Sequence, residues 1–179
     1  MLIKQDFEKT YEERNKDRVN PAEIKAEEFY KRKGCFITRF GFDEKKESIP
    51  SNYFKLIPKN IRNMPEYLVI KNLGDLIRVR DEVMEVTAKS WLVEVKGCRE
   101  SVRVKLDDLE GYKFWNNICE VNIFVYSFAY NCPYIISYNK LQELVNCKGM
   151  ATKDKYHDNN KEHYVIPVKN LTLYGFRVQ

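Results

Sequence analysis

The chain has 179 residues, 44% of them hydrophobic and 32% charged, which is enough apolar content to bury a core and too much for a disordered chain. Its net charge of +5, with a pI near 8.8, is a mild basic excess that suits a nucleic-acid partner without requiring one. Cys35, Cys98, Cys119, Cys132 and Cys147 form no CxxC pair, which argues against a structural zinc site; the odd count, with no apolar leader or membrane-length run, suggests reduced thiols in a soluble, cytoplasmic protein.

In chain order, residues 2–18 are dense in charge, with Ile3, Phe7 and Tyr11 at i, i+4, i+8. This spacing predicts a helix with a thin apolar stripe, docked on the body or contacting a partner. Asn20-Pro21-Ala22-Glu23 is a helix start, with a capping side chain, Pro at the first helical position and an acid in the first turn; Gly34 is the stop. Residues 35–42 read as a strand, 43–48 as a polar turn, and 51–63 as a loop or short helix.

Residues 67–70 form the next apolar strand. Alternation in 76–80 and 83–87 predicts a hairpin turning near Asp81-Glu82, with an added helix as the alternative. Residues 91–95 read as a buried strand and 101–105 as a further edge. Asp107 or Asp108 is expected to cap a helix to about Ile118, carrying Leu109, Tyr112 and Trp115. Residues 121–128 are the most apolar strand and belong at the sheet centre. A strand at 134–138, a short helix capped by Asn139 through Val145, a polar loop at 148–162 and a closing strand at 171–178 complete an α/β sandwich with a mixed sheet. The expected organisation is one domain over 1–179, with an N-terminal helical extension (1–19), a core (20–140) and a C-terminal addition (141–179).

The stretch Trp91-Leu92-Val93-Glu94-Val95-Lys96-Gly97 carries the chemistry. Side chains alternate across a strand, so Glu94 and Lys96 share one face while Val93 and Val95 share the other. Phosphodiester hydrolysis requires a divalent metal, help in deprotonating water, and positive charge for the anionic transition state. Glu66, Glu94 and the Val95 carbonyl supply oxygen ligands of the kind Mg²⁺ or Mn²⁺ takes. Lys96 is then placed to orient the nucleophile or stabilise charge. Beyond this strand, Arg99, Arg103, Lys105 and, from the following helix, Lys113 are candidates for gripping a phosphate backbone. His157 and His163 are expected in solvent, and most of the 12 tyrosines and 10 phenylalanines in the core, although such rings also stack on bases.

Pro65-Glu66 followed by Glu94-Val95-Lys96, after a Glu-bearing helix and a Gly-aromatic strand start, resembles the PD-(D/E)XK nuclease superfamily over roughly residues 20–140. The resemblance implies a restriction-endonuclease-like αβββαβ core, with a mixed central sheet flanked by helices, and Mg²⁺- or Mn²⁺-dependent endo- or exonucleolytic cleavage of DNA, or of RNA in some members. It places the motif on Glu66, Glu94 and Lys96, with Glu23 or Glu27 as the helical glutamate. Small members include Holliday junction resolvases and phage-type nucleases, for which branched or mobile-element DNA and a homodimer are expected. The chain departs from the pattern in having Glu rather than Asp at position 66, and its 28-residue gap to Glu94 requires an inserted hairpin. Asp75 or Asp81 is the alternative first acid. The rival readings are a catalytically inactive nucleic-acid-binding module of the same fold and an interaction protein with no nucleic-acid role.

Overall fold

In the computed structural model, which describes residues 20–41, 53, 55–79, 83–157, 159–174 and 176–177, the first element is helix α1 (Pro21–Arg32). Asn20 Oδ1 accepts the Ala22 N–H at 3.0 Å, Pro21 opens the helix without wasting a donor, and Lys31 and Arg32 sit at its negative end. Gly34 ends it at φ +71, a left-handed geometry that glycine adopts without a Cβ clash. The helix expected over 2–18, the turn at 43–48 and the Asp81-Glu82 turn lie outside the described residues.

Strands β1 (Cys35–Arg39), β2 (Tyr67–Val79) and β3 (Val83–Cys98) follow, with a four-residue helix α2 (Lys59–Arg62) before β2. Then come β4 (Ser101–Lys105), α3 (Leu106–Asn116), β5 (Val121–Ser127), β6 (Cys132–Ser137) and α4 (Tyr138–Asn146). The chain closes with β7 (Thr152–Lys155), β8 (Glu162–Pro167), α5 (Val168–Tyr174) and β9 (Phe176–Arg177).

Six strands form a central mixed sheet in the order β1-β2-β3-β5-β6-β9, in which only β3 and β5 run parallel. The parallel pair needs a crossover, and α3 supplies it. Both faces of this sheet are covered, which is why β5 reads as a nearly unbroken apolar run. On one face α1 lays Ala22, Ala26, Phe29 and Tyr30 against Tyr67, Val69, Val93, Val95, Phe124 and Tyr126. On the other, Leu92, Val121, Ile123 and Val125 pack against Leu109 and Tyr112 of α3, Leu141 and Leu144 of α4, and Val168 and Leu171 of α5. Burying a side chain of the size of Leu or Phe contributes about 1.5–3 kcal/mol, so the two layers hold α1 and α3 firmly on opposite faces. The fold is thus a mixed α/β sandwich, and it contains the α-β-β-β-α-β order (α1, β1, β2, β3, α3, β5).

The long β2/β3 hairpin is present, with Leu76 facing Val86 and Val79 facing Val83 beyond an irregularity at Asn72–Leu76. It accounts for the wide sequence gap between Glu66 and Glu94 without an extra helix. Several expectations are corrected. The edge strand at 101–105 belongs to a second, three-stranded sheet, β4-β8-β7, because its partner β8 comes from far down the chain. Residues 152–155, read as loop, pair with β8. Most of the strand read at 171–178 is helix α5, since Val168 and Leu171, at i and i+3, bury together, and only Phe176–Arg177 extends the sheet. Leu141, Leu144, Ile166, Val168 and Leu171 share one buried cluster with Leu92 and Val121, so the C-terminal segment completes the core instead of standing beside it. Strand β1 ends at Arg39, α3 begins at Leu106 with Lys105 as its cap, and Ser137 rather than Asn139 caps α4 through Lys140 N–H. His163 is buried, not solvated, beneath Tyr156, whose ring stacks on it at 4.0 Å.

Candidate active site

The antiparallel register aligns Arg39, Tyr67 and Val93 across β1, β2 and β3. These three point toward α1. The next row, Phe40, Glu66 and Glu94, therefore points the other way, toward α3, and the Phe40 N–H donates to the Glu66 carbonyl at 2.9 Å. Glu66 curls its carboxylate back onto β3, where Oε2 accepts the Val95 N–H at 3.1 Å. Lys96, two residues beyond Glu94 on the same face, sets its Nζ 2.6 Å from Glu94 Oε1 and 3.2 Å from Asp108 Oδ2 on the first turn of α3. Tyr112, one helical turn after Asp108, stands over the same spot and is buried.

The electrostatics follow from this crowding. Burial and then the neighbouring Glu94 push Glu66 up to about 8, against smaller opposing pulls from Lys96 and the Val95 N–H. Burial works against the charge of Lys96, but the surrounding Glu94, Tyr112, Asp108 and Glu66 hold its pKa well above the ordinary lysine value. Lys96 thus brings positive charge to the carboxylate cluster on this face. Tyr112 is driven well above the usual tyrosine value, by burial first and by Glu94 second. Its hydroxyl is buried beside Glu94, close enough to add to that rise though short of a well-formed hydrogen bond.

Two carboxyl groups, Glu66 and Glu94, with the buried Tyr112 hydroxyl beside them, make an oxygen-rich group that suits a hydrated divalent cation. Among the described residues no three His, Cys, Asp or Glu side chains close on one point. Mg²⁺ does not require that, because it commonly takes one or two carboxylates and fills its octahedron with water and substrate phosphate oxygens. Glu66 and Glu94 meet this demand and would hold such an ion, whose charge would offset the effect of Glu94 that adds to burial in raising Glu66. Val95 here contributes its N–H to Glu66; its side chain is buried toward α1.

The helical glutamates occupy the other face. Glu23 is buried, ion-paired with Arg39, and accepts the Tyr67 hydroxyl at 3.2 Å; Glu27 accepts the same hydroxyl at 3.2 Å and pairs with Lys31 at 3.0 Å. Glu23 still contributes to the elevation of Glu66, so it stands behind the site as an electrostatic neighbour. Asp75 sits nine residues along extended β2 from Glu66, roughly 30 Å by strand rise. Asp75 thus lies far along the strand from Glu94 and Lys96, and Asp81 lies outside the described residues.

The proposed phosphate contacts divide. Arg99 is exposed in the turn that leaves β3 close to Lys96, and Arg103 and Lys105 project from the outer face of the second sheet. Lys113 does not join them. It lines a shallow groove of about 220 Å³ with Leu109, Tyr138, Gln142 and Tyr164, because it lies on the side of α3 that faces α4 and not the Glu94 face. Sequence reasoning missed Asp108 and Tyr112 as site residues. The available signal was their i, i+4 spacing, which puts both on one helix face.

No family model matches the chain, and no curated protein matches it significantly. Among solved structures the chain is similar to a nuclease from a fusselovirus, with 13% identity over 93% of this chain and 89% of that one, at a TM-score of 0.44. That likeness is too loose to carry functional weight. Among the described residues, no helix is long and apolar enough to cross a membrane.

Proposed function

We propose that the protein is a metal-dependent nuclease that hydrolyses phosphodiester bonds, with Glu66, Glu94 and Lys96 as its catalytic group. The observation that carries this is the convergence of Glu66, Glu94 and Lys96 on one sheet face, with Lys96 held at 2.6 Å from Glu94 and 3.2 Å from Asp108. A stability role explains the group poorly, since desolvating buried ionisable groups offsets much of the attraction between Lys96 and its carboxylate partners. Bound Mg²⁺ or Mn²⁺ would polarise the scissile phosphate and supply a water of lowered pKa.

Glu66 and Glu94 would hold that ion, with Glu66 giving up its proton on binding it. Lys96 exchanges part of its contact with Glu94 for a non-bridging phosphate oxygen and offsets the charge that builds there. Asp108 keeps the Lys96 side chain from swinging into solvent, and Tyr112 offers a donor to the water or phosphate in front of Glu94. Arg99, Arg103 and Lys105 provide cations for the flanking phosphates. DNA is the proposed substrate, and a homodimer would place two such sites on opposite strands.

The test is cleavage of labelled single-stranded, duplex and four-way-junction DNA, and of RNA, with Mg²⁺ or Mn²⁺, beside Lys96→Ala. Loss of a charge-stabilising donor of this type lowers turnover by about 10²–10³-fold. A folded parent that cuts nothing under either metal, while binding DNA equally in chelator, would favour the catalytically inactive binding module instead.

A further inference from the structure

The same face of the sheet carries an aromatic cluster that the catalytic group does not use. Phe40 begins it, in the row of Glu66 and Glu94 and hydrogen-bonded through its N–H to the Glu66 carbonyl at 2.9 Å. Its ring and that of Trp115 of α3 are nearly perpendicular, with centroids 5.5 Å apart and planes at 84°; Phe114 makes a similar contact with Trp115 at 5.5 Å and 87°. Trp115 cannot turn away, because its Nε1–H donates to the Asn60 carbonyl at 2.9 Å. The two phenylalanines stand out from this braced indole, Phe40 37% and Phe114 40% exposed.

Clustered exposed aromatics are costly in water and mark a binding surface. Position names the occupant. Phe40 is two strand spacings from Glu94, about 10 Å, with Glu66 between them, so a group on Phe40 is tethered close to any phosphate held at Glu66 and Glu94. The flat apolar groups of a nucleic acid are its bases, and a base is free to stack on a side chain only when it is unpaired.

We propose that Phe40 and Phe114, braced by Trp115, form a stacking wall for unpaired bases next to the cleaved phosphate. This rests on the nuclease reading and narrows it: the preferred substrate is single-stranded or locally opened nucleic acid, not continuous duplex. Phe40 and Phe114 are specificity residues and take no part in the chemistry.

The experiment uses the full chain in chelator, so that binding is read without cutting. A short oligonucleotide carrying 2-aminopurine is titrated as a single strand and as a duplex with the parent, Phe40→Ala, Phe114→Ala and Phe40→Trp. The parent is expected to bind the single strand more tightly and to quench its 2-aminopurine. Each alanine variant should weaken single-strand binding about tenfold and lose quenching with duplex binding unchanged, while Phe40→Trp retains both. Thermal melts confirm that the exposed positions are tolerated. Equal affinity for both forms, or alanine variants that bind like the parent, overturns the proposal. So does a concentration-dependent dimer that these substitutions disperse, since the wall would then serve a second copy. Lys96-dependent cleavage in the same preparations separates the two readings: cleavage with indifferent phenylalanines removes the wall and leaves the nuclease, whereas stacking without cleavage keeps the wall and removes the nuclease.

Discussion

Glu66→Gln tests the electrostatics of the candidate site most directly, because it replaces the ionisable group with a neutral one of nearly equal shape. In the metal-free protein, burial and Glu94 raise Glu66 from 4.5 to about 8. Each pKa unit corresponds to about 1.4 kcal/mol, so holding Glu66 ionised in the folded state costs up to about 5 kcal/mol at high pH. Relaxation and water entry reduce this, and about 2–4 kcal/mol is expected. The sign follows from linkage: with the folded value above the unfolded one, the folded state binds the extra proton, so stability is greatest below about 4.5 and falls as pH rises through about 8. Glu66→Gln removes that fall. In chelator its melting temperature should match the parent's near pH 4.5 and exceed it by roughly 5–10 °C at pH 9, at about 2–4 °C per kcal/mol for a chain of this size. Scanning calorimetry or dye-monitored melting across this range is the assay. Parallel pH curves for the two proteins would refute the assignment of Glu66 as a proton-holding carboxyl beside Glu94. In the parent, Mg²⁺ affinity should weaken by about tenfold per pH unit below 8, since binding displaces one proton; Glu66→Gln should abolish that slope.

Gly111→Ala would ordinarily stabilise a helix by about 1 kcal/mol, but here the new Cβ meets the Asn63 carbonyl oxygen at 2.5 Å and Asn63 Cβ at 2.7 Å. The expected result is a net loss of about 1–3 kcal/mol, read by denaturant unfolding, and a gain would show that the segment before β2 yields easily. Tyr67→Phe deletes the hydroxyl shared by Glu23 and Glu27 and should cost about 1 kcal/mol in the same unfolding assay, with cleavage little changed. Asp108→Asn keeps the shape but removes one of the charges holding Lys96. Cleavage should fall by about tenfold while the melting temperature stays near the parent's, and unchanged cleavage would remove Asp108 from the site.

The sequence alone determined what local rules determine. The Asn20-Pro21 start and the Gly34 stop delimit α1 because capping and the left-handed glycine act within a few residues. The β2/β3 hairpin was readable from its alternation. The shared face of Glu94 and Lys96 was readable because strand periodicity leaves no alternative once Val93 and Val95 are buried. Tertiary structure decided everything that depends on which elements meet. Only the crossover through α3 brings Asp108 and Tyr112 over Lys96, and only the β1–β2–β3 register sends Glu66 toward Glu94 while leaving Glu23 and Glu27 on the opposite face with Tyr67. Pairing β4 with a strand from the far end of the chain turned an apparent sheet edge into a second sheet and buried His163, and α5 took most of the stretch read as a closing strand, with Val168 and Leu171 buried together in the core. Capping and alternation are short-range and survive without a fold; facing partners, burial and the charge environment are long-range and exist only after the core has closed.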